Sequence, residues 1–227
     1  MGSFGRNHRG FSEAIRGVLK MYEKAILKIS HTEAHTDLLG PGDRFVIWVH
    51  GCCFDCEGCL ARNTRFGPYS EVETGVLAME ILNSGCDGIT ISGGEPFLQA
   101  EPLAALVREV RRVRDMGVII YSGFTIEELR DKKECAELLG LTDILIDGRY
   151  IKELDDGRPY IGSSNQKLHY LTDRYKEIGK DYYAAPRRRA EIKFNADSVT
   201  LIGVPSANVL QIWQEIKYKN GGSDDDF

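Results

Sequence analysis

The chain has 227 residues, 42% hydrophobic and 28% charged, enough for one domain with short extensions and a full apolar core. Its net charge of −5 includes Asp224, Asp225 and Asp226 at the C-terminus, so the body is close to neutral and charge gives no case for nucleic acid or an anionic membrane. No run approaches the ~20 apolar residues of a membrane span. Glu13, Arg16, Lys20 and Glu23 interrupt any signal-peptide core, so a cytoplasmic protein is expected.

Phe11, Ile15, Val18, Leu19 and Tyr22 recur at helical spacing and predict an amphipathic helix over 11–23, within an N-terminal extension of residues 1–24. The main domain is expected from 25 to 219, with a C-terminal extension from about residue 170, and 220–227 as a disordered acidic tail. Ala25–Ile29 is a short apolar segment, and His31–His35 reads as a loop with solvated histidines. After the Gly40-Pro41-Gly42 turn, Phe45–Val49 is the continuous apolar run of a strand buried on both faces.

A regular alternation follows. Val72–Asn83, Glu101–Asp115 and Thr125–Leu139 read as helices, the last with Thr125 as its cap; Gly88–Ser92, Gly117–Tyr121 and Asp143–Ile146 read as strands. Such alternation predicts parallel βαβ units. Beyond it, Asp155–Asn165 has loop composition, Glu191–Phe194 and Ser198–Ile202 can pair as strands around Asn195-Ala196-Asp197, and Ala207–Lys219 reads as a final helix.

Polar motifs lie just past the C-terminal ends of the predicted strands: the cysteine loop, Gly93-Gly94-Glu95-Pro96, Ser122-Gly123 and Asp147-Gly148. Parallel α/β proteins build their sites at that edge. Cys52, Cys56 and Cys59 form C-x₃-C-x₂-C. Structural zinc is usually closed by four ligands, whereas a cubane iron–sulfur cluster held by three thiolates keeps one iron open. Spacing alone leaves zinc and iron–sulfur equally open. A Gly-Gly pair after a buried strand permits close backbone approach and offers N–H groups, and Glu95 adds acceptors. Cys53, Cys86 and Cys135 read as spare or core thiols, and Arg187-Arg188-Arg189 as a solvated face.

The residues Gly40-Pro41-Gly42-Asp43-Arg44, Gly51-Cys52 with Cys56-Glu57-Gly58-Cys59, Ser92–Pro96, Tyr121–Thr125, Asp147-Gly148 and Gly162–Gln166 together resemble the radical S-adenosylmethionine enzymes. The resemblance is closest to the activases of glycyl radical enzymes and spans about residues 25–170; Leu201–Pro205 resembles the end of longer members. It implies an α/β fold, a partial, open parallel β/α barrel, with Cys52, Cys56 and Cys59 holding a [4Fe–4S] cluster. Gly93, Gly94, Glu95 and Pro96 would bind the methionine end of S-adenosylmethionine, with Ser122 and Asp147 as further contacts. Reductive cleavage would give a 5′-deoxyadenosyl radical that generates a glycyl radical on a partner enzyme, fed by a low-potential flavodoxin or ferredoxin. Gly58 departs from the aromatic residue that often precedes the last cysteine elsewhere in the superfamily. Two alternatives stand beside this reading: a free-standing radical enzyme acting on a small molecule, nucleotide or peptide, and a non-catalytic metal-binding module.

Overall fold

The computed structural model describes residues 25–184, 188–194 and 199–219. The expected helix over 11–23, the acidic tail, Arg187 and the turn at Asn195–Asp197 lie outside the described residues. The strands are β1 (Ile26–Thr36), β2 (Arg44–Val49), β3 (Ser70–Glu73), β4 (Gly88–Gly93), β5 (Gly117–Tyr121), β6 (Ile144–Asp147), β7 (Lys167–Tyr170), β8 (Ala190–Phe194) and β9 (Val199–Gly203). The helices are α1 (Asn63–Phe66), α2 (Thr74–Ser84), α3 (Ala100–Val113), α4 (Ile126–Arg130), α5 (Ala136–Gly140), α6 (Lys176–Tyr183) and α7 (Ala207–Lys219).

Seven strands form one sheet in the order β3-β1-β2-β4-β5-β6-β7, and β8 pairs with β9 separately. β2, β4, β5 and β6 are parallel, as the helix–strand alternation predicts, while β1, β3 and β7 join antiparallel. Alternate residues of the parallel strands serve two cores. Phe45, Ile47, Val49, Val118 and Ile120 pack with Leu77, Ile81, Leu103, Leu106 and Val110 of α2 and α3. On the opposite face Ile119, Ile144 and Ile146 meet Tyr175, and Val46 meets Leu38, Leu39 and Ile202 of β9. Burial on both faces is why these strands are continuously apolar.

Three expectations are corrected. His31–His35 is not a loop but part of β1, which bulges between Ile29 and His31 and again between Glu33 and Thr36. Its Lys28–Thr36 stretch lacks clean alternation because the bulges shift which residues face the core. The helix expected from Val72 begins at Thr74, because Ser70–Glu73 pairs with β1. The helix expected over Thr125–Leu139 is two helices, α4 and α5, joined by a 3₁₀ turn at Lys133–Cys135. Ile126, Leu129, Cys135 and Leu138 stay buried through that break, so the apolar spacing concealed it. The Thr125 cap itself is present as a full capping box with Glu128. β7 and α6 lie beyond the helix–strand alternation read from the sequence; β7 is only four residues long, whereas α6 is amphipathic.

Arg44, the first residue of β2, is fully buried. It donates to Thr90 Oγ1 (3.0 Å), Tyr175 Oη (2.6 Å), Gly117 O (3.1 Å) and Ile89 O. Gly88 and Gly117 share its row across the sheet. A Cβ on Gly88 would stand 2.0 Å from Arg44 Nη1, and one on Gly117 would stand 2.0 Å from Tyr175 Oη. The two glycines make the space that the guanidinium and phenol fill.

Candidate functional site

The C-terminal ends of the parallel strands open into a cavity of about 490 Å³. Its lining brings together Cys52, Cys56 and Cys59 with Gly93, Gly94, Glu95 and Ser122. The three cysteines are partly buried and free, whereas Cys53 is exposed and Cys86 and Cys135 are buried elsewhere. Motifs more than thirty residues apart in sequence therefore share one cavity, as their positions at strand ends implied.

The Gly-Gly turn is fastened to the cysteine loop through the backbone. Gly94 N–H donates to Val49 O and Glu95 N–H donates to Gly51 O, both at 2.8 Å. These two N–H groups are thus spent on the protein rather than offered to a ligand, contrary to what a Gly-Gly turn leads one to expect. The glycines serve close approach instead. A Cβ on Gly94 would stand 2.0 Å from Gly51 O, and one on Gly93, whose φ is +101°, would stand 2.6 Å from Val49 N. Both fasten the end of β4 to the residues that lead into Cys52.

Glu95 lies behind this turn, 1% exposed. Its Oε1 accepts from Phe97 N–H and Ser122 Oγ–H at 2.9 Å, and its Oε2 accepts from Gly123 N–H at 2.8 Å. Burial pushes the carboxyl up to about 7, against the pull of those three donors. Pro96 is buried and opens a 3₁₀ turn, with Glu95 as its N-cap. Ser122 also accepts from Phe124 N–H at 3.1 Å. Asp147, by contrast, is buried with Oδ2 accepting from Ile126 N–H at 2.6 Å and lying 3.1 Å from His169 Nε2. It lines a neighbouring cavity of about 340 Å³ and serves the N-terminus of α4.

The cysteine loop has a second fastening. Phe54 meets Phe124 edge-on at 4.8 Å and covers Gly123, where a Cβ would lie 2.5 Å from its ring. Phe54 N–H lies 3.4 Å from Cys52 Sγ. Burial raises the Cys52 thiol to about 11 and raises Cys59 as well, so the metal-free loop carries protonated thiols there. Gly58 adopts φ +73°, which accounts for a glycine rather than an aromatic before Cys59.

Further residues line the cavity beside the strand-end motifs. His31 and Trp48 stand side by side at 5.4 Å on the cavity wall, and His31 Nε2 is buried without a hydrogen bond, its nearest charge Glu33 Oε2 at 3.7 Å. The His31 side chain as a whole stays 40% exposed, so only its Nε2 is withdrawn from solvent. Arg149 lies over the Phe54 ring at 4.5 Å. Gln166 holds the Gly162 loop, accepting from Gly162 N–H at 2.9 Å and donating to Gly148 O at 2.8 Å. Thr200, Leu201, Val204, Pro205 and Trp213 close the wall from the C-terminal extension. Ion pairs from Lys193 to Glu33 (2.9 Å), Arg189 to Asp37 (2.9 Å) and Arg188 to Asp155 (2.5 Å) hold that extension in place. Of these lining residues, the sequence signalled the Gly162–Gln166 and Leu201–Pro205 runs but not His31, Trp48, Arg149 or Trp213.

Residues 38–169 match the family described as 4Fe-4S single cluster domain. The anaerobic ribonucleoside-triphosphate reductase-activating protein of Vibrio cholerae is 33% identical over 146 residues, covering 59% of this chain and 91% of that protein. Its counterpart from Enterobacteria phage T4 is 34% identical over 141 residues, covering 59% and 88%. That of Escherichia coli K12 is 29% identical over 143 residues, covering 58% and 91%. Among solved structures, QueE from Escherichia coli superposes with a TM-score of 0.42 and 11% identity, covering 88% of this chain and 80% of that one. That superposition is too loose to bear on fold or function. No helix among the described residues is long and apolar enough to cross a membrane.

Proposed function

Because the chain belongs to the 4Fe-4S single cluster domain family and to the anaerobic ribonucleoside-triphosphate reductase-activating proteins, we propose that it is a radical S-adenosylmethionine activase of an anaerobic ribonucleotide reductase-like partner. One observation carries the reading: three partly buried thiols and the Gly93–Glu95 turn face the same cavity. Three thiolates with room beside them fit a [4Fe–4S] cluster that keeps one iron for a non-protein ligand. When bound, the cluster would supply the electron that cleaves S-adenosylmethionine, whose 5′-deoxyadenosyl radical would take a hydrogen atom from a glycine of the partner.

The chain's own residues do the rest. Cys52, Cys56 and Cys59 would hold the cluster, and binding must release protons from buried thiols. The Phe54 N–H aimed at Cys52 Sγ tunes one ligand sulfur. Gly93 and Gly94, lacking side chains, let the end of β4 lie against Val49 and Gly51, and the turn so placed would meet the methionine end of the cosubstrate. Glu95 and Ser122 fix that turn, because the carboxylate gathers Phe97, Ser122 and Gly123 into one unit. Asp147 acts at one remove by capping α4. Trp213, Leu201 and Pro205 exclude water from one side. A sheet curled as a partial barrel would leave the other side open to a partner loop. A low-potential flavodoxin or ferredoxin would supply the electron.

The extension also favours a second reading, since Thr200, Leu201, Val204, Pro205 and Trp213 line the cavity from outside the matched residues 38–169. A wall contributed by that extension would suit a free-standing enzyme for a small molecule, nucleotide or peptide. The test is anaerobic reconstitution, reduction, and quantification of 5′-deoxyadenosine by mass spectrometry against Cys56→Ala. Cysteine-dependent product supports the radical chemistry, and its dependence on an added glycyl radical enzyme separates activase from free-standing enzyme. Zinc without sulfide would sink both in favour of a metal-binding module.

A further inference from the structure

We propose that His35, Asp43 and Cys86 form a second metal site, for one zinc-class divalent ion, at the edge of the sheet opposite the cysteine cavity. His35 lies near the end of β1, Asp43 just before β2, and Cys86 just before β4. With β4 running away from Cys86 towards the Gly93–Glu95 turn, about 20 Å separates the two sites. The second ion would stand clear of the chemistry and pin three chain segments.

The ligand atoms are already gathered. His35 Nδ1 lies 2.7 Å from Asp43 Oδ2 and 3.8 Å from Cys86 Sγ, and all three atoms lie within 4.8 Å of one another. Metal–ligand bonds of about 2.0 Å to nitrogen or oxygen and 2.3 Å to sulfur set tetrahedral edges of roughly 3.3–3.6 Å. Reaching them takes shifts of up to about 1 Å by His35 and Asp43, whose side chains are 60% and 38% exposed, with buried Cys86 as the fixed point. A cavity lined by His35, Asp43 and Thr36 gives the ion a way in.

The pattern of contacts favours an ion over a hydrogen-bonded relay. A relay would give one ring nitrogen to the carboxylate and the other to the thiol. Here both close on Nδ1, which as an N–H donor can serve only one of them. One cation at the common point satisfies imidazole, carboxylate and thiolate together, a donor set suited to zinc. Binding would release the thiol proton and shift the ring to its Nε2–H tautomer. The backbone points the same way. His35 sits at φ +60°, a left-handed conformation rare outside glycine, inside the bulge between Glu33 and Thr36. Strain of that kind persists where surrounding interactions hold it.

The experiment uses protein with its cluster reconstituted, so that Cys52, Cys56 and Cys59 are occupied. After incubation with one equivalent of zinc and desalting, zinc and iron are counted and the zinc K-edge absorption recorded. The expected result is about one zinc per chain, with one sulfur near 2.3 Å and nitrogen or oxygen near 2.0 Å. Cys86→Ser should remove the sulfur shell. His35→Asn, which tolerates the left-handed backbone, should weaken zinc binding at least tenfold with iron content and unfolding midpoint unchanged. Zinc that washes away, a shell of several sulfurs, or undiminished binding by His35→Asn would each overturn the assignment.

Discussion

Gly94→Ala puts a single methyl group where the turn meets the cysteine loop. The new Cβ would stand 2.0 Å from Gly51 O and 2.7 Å from Gly51 C, so the segments must separate by about 1 Å or more. Gly94 is not held at positive φ, so the cost is contact rather than backbone strain. A separation of that size lengthens Gly94 N–H to Val49 O and Glu95 N–H to Gly51 O, both now 2.8 Å, beyond bonding range. Two backbone bonds lost in a partly buried place cost about 2–4 kcal/mol, a large share of a domain's ~5–15 kcal/mol. Cys52 follows Gly51 directly, so the same shift should lower the iron bound per chain. The measurement is anaerobic denaturant unfolding with iron analysis, and Gly75→Ala serves as control. A methyl added at Gly75 would meet no heavy atom within 4 Å, and alanine in α2 should be neutral or up to about 1 kcal/mol stabilising. If Gly94→Ala unfolds at the wild-type midpoint with full iron, close approach is not why glycine stands there.

Three other perturbations test separate parts of the molecule. Tyr175→Phe removes an acceptor 2.6 Å from buried Arg44 and should cost about 1.5–3 kcal/mol by urea unfolding; an unchanged midpoint would mean the guanidinium finds another partner. Thr125→Ala breaks the capping box of α4 and should cost about 1 kcal/mol, whereas no loss would show that the cap is idle. Glu95, raised by burial to about 7, binds a proton more readily folded than unfolded. Its contribution is therefore most favourable below its usual range near 4.5 and is lost as pH rises through 7, by about 3 kcal/mol in all. In metal-free protein, the stability difference between wild type and Glu95→Gln should move in favour of the variant between pH 5 and pH 8; a constant difference would contradict a raised carboxyl.

Sequence alone determined the parts whose signal is local. Phe45–Val49, Gly88–Ser92 and Gly117–Tyr121 read as buried strands because both their faces are covered, and the single apolar face of α3 shows in Leu103, Leu106, Val107 and Val110. Three cysteines and a Gly-Gly-Glu-Pro turn at strand ends marked the candidate site, and the match of residues 38–169 to a 4Fe-4S single cluster domain agrees with the iron–sulfur expectation. Tertiary structure decided what depends on neighbours. β1 and β7 are strands because β2 and β6 supply their hydrogen bonds, and nothing in Ser30–Thr36 or Lys167–Tyr170 announces it. Glu95 and Asp147 are both carboxylates at strand ends, yet one lines the main cavity and the other turns to the N–H of Ile126. His31, Trp48 and Trp213 reach one wall from three distant segments. Side-chain type sets what a residue can do, but direction and company come from contacts between segments far apart in sequence, which no local pattern records.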